Sequence, residues 1–92
     1  MWGGCGRADD RAMPQFRLHH RHDADECPAV YAAWKGFDSP LRHQPTTSSC
    51  QRGGHEIWWD VSATNPADAL SQLPDYVAAR TTAIRVDPVD IP

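Results

Sequence analysis

Five histidines and three cysteines in a chain of 92 residues are the side chains with the widest chemical reach here. His20 and His22 stand two apart, so on an extended segment both imidazoles point to the same side. Cys27 follows closely, directly before Pro28, and His55 comes from a distant stretch. Imidazole nitrogens combined with a thiolate form a borderline-soft ligand set, which suits Zn, Ni, Cu or Fe rather than Mg or Ca. Asp23, Asp25, Glu26 and Glu56 lie near these residues in sequence and are candidates to hold an imidazole in one tautomer. The plain alternative is the polar end of a sheet whose histidines are satisfied by hydrogen bonds, with Cys27 a small buried residue.

The elements that must position these groups follow from periodicity. Phe16, Leu18, His20 and His22 alternate with Arg17, His19 and Arg21, which predicts a strand whose apolar face turns polar at its far end. Pro28 fits a first helical position and places Cys27 near the N-cap, where a helix N-terminus lowers a thiol's pKa. Val30, Ala33, Trp34 and Phe37 recur at helical spacing, and Gly36 is a stop signal. Residues 38–45 read as a proline-bracketed loop, and residues 46–51 as a short strand. Gly53-Gly54 is a hairpin turn signal. In the strand that follows, His55, Ile57, Trp59 and Val61 share one face, while Glu56, Trp58 and Asp60 share the other. Asn65-Pro66 opens a second helix as N-cap and first position, with Ala69, Leu70 and Leu73 on its buried side. Pro74 interrupts it before Tyr76, Val77 and Ala78. Residues 81–86 form a β-branched strand, and Val89 to Ile91 extend along an edge.

This order, β-α-β-β-α-β, predicts an α+β, ferredoxin-like fold. Its four-stranded antiparallel sheet has the order 4-1-3-2, with two helices on one face. In that sheet the end of the first strand meets the start of the third. His20, His22, Cys27 and His55 then converge on one corner, which makes them the predicted metal ligands. The remaining candidates fare differently. His19 points to the opposite, helix-free face with Trp58 and Asp60, His43 is a solvated loop residue, and Cys50 has no assignable partner. No glycine-rich phosphate loop, Gly-x-Ser-x-Gly or His-Glu-x-x-His pattern occurs.

Composition excludes several classes. The longest apolar run is far short of the roughly 18 residues of a membrane span. Nine basic residues against twelve acidic give a formal net charge of −3, with the basic ones scattered singly, which argues against nucleic acid as a partner. An odd number of cysteines at irregular spacing is not a disulfide framework, and no charged-then-apolar leader is evident, so a cytoplasmic protein with reduced thiols is expected. Residues 1–12 lack periodicity and read as a loose tail in which Cys5 and Trp2 have no role, leaving 13–92 as the single domain.

The stretch from His20 through Ala29, His-Arg-His-Asp-Ala-Asp-Glu-Cys-Pro-Ala, resembles a motif of small uncharacterised actinobacterial proteins. Those begin Met-Pro-x-Phe, as at Met13 to Phe16 here, and carry His-x-His-x4-Cys-Pro-Ala. Gly54-His55 and the aromatics after it look like their third strand, and the resemblance covers Met13 to the C-terminus. More distantly the chain is similar to the dimeric α/β-barrel superfamily, which includes small monooxygenases, muconolactone isomerases and a nickel-binding ferredoxin-like protein. The resemblance implies a ferredoxin-like subunit, dimeric or larger, with a transition-metal site on His20, His22, Cys27 and His55. It does not supply a reaction.

Two functions are carried forward. The first is transition-metal binding in a sequestering, sensing or stress role. The second is a small enzyme of the dimeric-barrel kind acting on a small organic molecule at the open sheet face, with His19, Trp58 and Asp60 lining the pocket and a His–Asp pair handling protons. Trp58 on an otherwise solvated face also suggests a second copy packed across it, as a homodimer or larger homo-oligomer, with room between the copies for a small ligand.

Overall fold

A computed structural model describes residues 14–92. The tail expected at 1–12, with Cys5 and Trp2, lies outside the described residues. The first strand, β1 (Gln15–Arg21), has Phe16, Leu18 and His20 buried, while Arg17 and Arg21 are exposed, as its alternation requires. A single 3₁₀ turn (Ala24–Glu26) leads into helix α1 (Cys27–Ala32). Strand β2 is only Thr47–Ser48, followed by a second 3₁₀ turn (Cys50–Arg52) and then β3 (Glu56–Ser62). Helices α2 (Pro66–Leu70) and α3 (Asp75–Ala78) precede β4 (Thr81–Val86).

The chain is α+β, with one four-stranded antiparallel sheet in the order β2-β3-β1-β4, which reads 4-1-3-2 from the β4 edge. β1 and β3 are central. Their register pairs Phe16 with Val61, Leu18 with Trp59, His20 with Ile57 and Arg21 with Glu56. On its other side β1 pairs with β4, placing His20 opposite Thr81. Phe16, Leu18, Ile57, Trp59 and Val61 form one core with Val30 of α1, Ala69 of α2, Leu73 of the following turn and Val77 of α3. Burial of these side chains is the main force holding the helices to this face, at about 1.5–3 kcal/mol for each large apolar residue. The opposite face carries polar pairings. Arg17 donates to both oxygens of Asp60 at 2.8 and 3.0 Å, and His19 stacks on Trp58 while bonding Glu56.

Pro74 breaks the second helical segment as its sequence predicts, and Asn65 caps α2 by accepting a hydrogen bond from the Asp68 amide at 2.8 Å. Three expectations are corrected. Helix α1 ends at Ala32, and the chain continues in turns to Gly36, whose φ of 75° only glycine adopts freely. Residues 46–51 are not a full strand. Ser48 Oγ accepts from the Cys50 amide at 3.1 Å and the Ser49 carbonyl accepts from both Arg52 and Gly54 at 2.9 Å, so local bonding curls the chain away from the ladder. Residues 87–92 carry no strand, with Val89 and Ile91 exposed. No helix among the described residues is long and apolar enough to cross a membrane.

Candidate metal centre

The centre forms where the end of β1 and the start of α1 meet the turn before β3. β1 finishes at Arg21, and His22 keeps its alternation, so its side chain enters the buried face. A hydrogen bond from the His22 amide to the His55 carbonyl, 3.2 Å, ties the two segments together. The intervening turn is capped at Asp23, whose amide donates to the Glu26 carboxylate at 2.9 Å. That turn delivers Cys27 as the first residue of α1. Cys50 opens the second 3₁₀ turn, and Gly53 reverses the chain with a φ of 84°. Gly54 then passes so close to Ser49 that a Cβ there would lie 2.7 Å from the serine Cβ.

His55 does not begin β3, contrary to its predicted place in the strand's alternation. Its φ is 54°, the left-handed region that non-glycine residues rarely occupy. From this conformation its imidazole reaches the cluster. Strained backbone of this kind persists where surrounding structure over-determines it, commonly at functional sites.

Four side chains converge: His22, Cys27, Cys50 and His55, each offering a donor atom, all within 4.8 Å of one another. Cys27 Sγ lies 3.1 Å from His22 Nε2 and 3.2 Å from His55 Nδ1. Cys50 Sγ lies 3.7 Å from His22 Nε2. His22 is buried and the other three are half-buried.

Of the four predicted ligands the structure brings together His22, Cys27 and His55. His20 is not in the cluster and is corrected to a different part, because its register opposite Thr81 sets its ring one step deeper. It is fully buried. Its Nδ1 faces the Val77 carbonyl at 3.2 Å and the Thr81 hydroxyl at 3.0 Å, and its Nε2 faces His22 Nδ1 at 3.0 Å. These contacts order the protons. A carbonyl only accepts, so His20 Nδ1 carries the hydrogen. Burial, the largest influence on this ring, moves its pKa below the ordinary value and favours the neutral form. Neutral His20 therefore accepts at Nε2 from His22 Nδ1–H. In the neutral tautomer that this pairing selects, His22 carries its lone pair on Nε2, the atom facing Cys27 and Cys50, as a metal ligand must.

Cys50, which had no assignable partner in sequence, supplies the fourth donor. A signal for it was present: Cys50-x4-His55 mirrors His22-x4-Cys27, and each pair spans one 3₁₀ turn. Neither half resembles the close Cys-x-x-Cys spacing of zinc fingers. Two of the carboxylates suggested as imidazole partners, Glu26 and Glu56, do not hold a histidine of the cluster. Glu26 accepts from Arg80 Nε at 2.9 Å and the Tyr76 hydroxyl at 3.1 Å, and Glu56 bonds His19.

The expectation that the helix start lowers the Cys27 pKa is also overturned. Burial pushes this thiol up, and neighbouring Cys50 adds to the push, since two thiolates side by side repel. A six-residue helix has too little dipole to oppose that. Contact with Cys50, aided by burial, likewise raises the Tyr31 phenol, with Ser48 opposing. Two crowded sulfurs disfavour ionisation on their own and favour it around a cation.

On the opposite face the predicted His–Asp pair is not formed, since Asp60 is held by Arg17 and His19 by Glu56. His43 is exposed in its loop, with a φ of 62°. Comparison with protein-family models, with curated proteins and with solved structures returns no match.

Proposed function

We propose that this chain binds one transition-metal ion, zinc foremost, through His22 Nε2, Cys27 Sγ, Cys50 Sγ and His55 Nδ1. The observation that carries the reading is the mutual approach of two sulfurs and two imidazole nitrogens within 4.8 Å. A tetrahedral ion with metal–sulfur bonds of about 2.3 Å and metal–nitrogen bonds of about 2.0 Å has donor–donor edges of about 3.3–3.8 Å. Three nitrogen–sulfur separations, 3.1, 3.2 and 3.7 Å, lie near the edge expected for such a pair, and all four donors lie within 4.8 Å of one another. A tetrahedral set of two sulfurs and two nitrogens suits Zn over Mg, Ca or Mn, and is softer than Ni(II) or Cu(II) prefer.

Four protein donors close the coordination sphere, which suits holding a metal and not activating a water on it. Three of the donors are half-buried, which leaves the site open to solvent on one side. Sequestration or sensing of the metal fits that placement better than a permanent structural role. The same reading takes the fold as ferredoxin-like and the chain as a cytoplasmic homodimer. The partly exposed Trp58 and the exposed Ile84 on the open face support the second copy.

Elemental analysis and native mass spectrometry of protein purified without a histidine tag test the reading. One zinc per chain is expected, and its loss in both Cys27→Ser and Cys50→Ser. Cobalt substitution should give the intense visible absorption of a tetrahedral thiolate site. Unchanged metal content in both variants would sink the proposal.

A further inference from the structure

Beside the metal cluster, on the helix-covered side of the sheet, lies a cavity of about 650 Å³ between α1, the 38–46 loop and the β2–β3 edge. This is within the roughly 300–1,000 Å³ range of small-molecule sites. Tyr31, Trp34 and Trp59 give it aromatic walls, with the two indole rings 5.9 Å apart and tilted by 48°. Arg42 and Arg52 stand in its lining, and no aspartate or glutamate does. In a chain of net charge −3 that is an uneven distribution. Arg42 donates one hydrogen bond, at 3.4 Å, to the Phe37 carbonyl, and neither guanidinium forms an ion pair among the described residues.

We infer that this cavity binds a small organic acid, its flat apolar body packed against the aromatic wall and its carboxylate on Arg42 and Arg52. Arg42 is half-buried and Arg52 exposed, and arginine's planar fork matches a carboxylate through charge-assisted bonds. The aromatic walls bury the body of the ligand and leave the charged end at the arginines. Cys50 also lines the cavity, so the occupant sits against one of the metal's sulfurs. The inference goes beyond metal binding, since Tyr31, Trp34, Trp59, Arg42 and Arg52 supply none of the four donor atoms.

4-Phenylbutyrate and its neutral analogue 4-phenylbutyramide test this, by isothermal titration and tryptophan fluorescence on the full chain, both zinc-loaded and treated with EDTA. The acid is expected to bind at least ten-fold more tightly than the amide. Arg42→Gln and Arg52→Gln should each weaken the acid five-fold or more and leave the amide unchanged, and Trp34→Ala should weaken both. Circular dichroism confirms that each variant is folded. Equal affinity for acid and amide, or no binding of either at 10 mM, would overturn the inference. Binding that needs zinc and ignores both arginine substitutions would place the carboxylate on the metal and overturn it equally.

Discussion

His20 is the residue on which the sequence expectation and the structure disagree most sharply, and His20→Phe separates them. If His20 were a ligand, its loss would remove one of four bonds and with it stoichiometric zinc. In the structure it instead donates from Nδ1 to Val77 and Thr81 and accepts from His22 Nδ1 at 3.0 Å. Phenylalanine keeps a ring in this fully buried position. The Val77 carbonyl stays satisfied by the Thr81 hydroxyl at 2.7 Å. The group left without a partner is His22 Nδ1–H, so the ring loses its fixed tautomer and orientation but not its place. Loss of such an outer hydrogen bond typically weakens metal affinity by about 10–100-fold, or about 1.4–2.7 kcal/mol. Competition against a chromogenic zinc chelator measures this directly. The expected result is one zinc per chain with affinity reduced within that range. Complete loss of zinc from a variant with wild-type circular dichroism would make His20 a ligand, and an affinity within two-fold of wild type would remove it from the site. Either result refutes the proton order derived above.

Three further outcomes are expected. Zinc at 1,000 times its dissociation constant should stabilise the fold by about 4 kcal/mol, raising the melting temperature by at least about 15 °C in calorimetry, and EDTA should reverse the shift. Gly54→Ala forces a Cβ to 2.7 Å from Ser49 Cβ and should cost about 1–3 kcal/mol in urea unfolding, with Ser49→Gly restoring part of the loss. Hydrogen bonding from Arg17 holds the Asp60 carboxylate below its ordinary 3.8, so its stabilisation is present above that pH and fades as pH falls through the depressed folded value. The pair is more than half exposed on both sides, so Asp60→Asn should remove only about 0.5 kcal/mol at neutral pH and less under acid, seen as a slightly flatter acid limb in a stability–pH curve.

Much of the scaffold was legible because it rests on local rules. Strict alternation from Phe16 to His22 and from Ile57 to Val61 allows only one face of each strand to be buried, so neither strand can slip by one residue. Asn65 and Pro66 start a helix, and Pro74 stops one, through bonds made within a turn of themselves. His22, Cys27 and His55 were identifiable because antiparallel pairing of the first and third strands brings their ends together. Cys50 left only the trace of its spacing to His55, since its position depends on Ser48, Ser49 and Gly54 curling the chain off the ladder after two strand residues. A period-two reading of residues 46–51 cannot express that curl. The left-handed twist at His55 is equally silent in a pattern of residue types.

The sequence by itself determined most of the side chains available to this corner, the Cys27 sulfur and several imidazoles, because strand alternation and helix signals are set by neighbours in the chain. Tertiary structure decided which of them form the cluster. His20 and His22 share a face and a spacing that make them equivalent in sequence. Register against β4 nevertheless places Thr81 opposite His20 and brings the Val77 carbonyl within 3.2 Å of its ring, while Cys27 stands at His22. The deeper histidine finds hydrogen-bond partners that fix its proton, and the shallower one keeps its lone pair for the sulfurs. Only contacts between distant segments make that distinction, because a tautomer is set by what the other nitrogen touches.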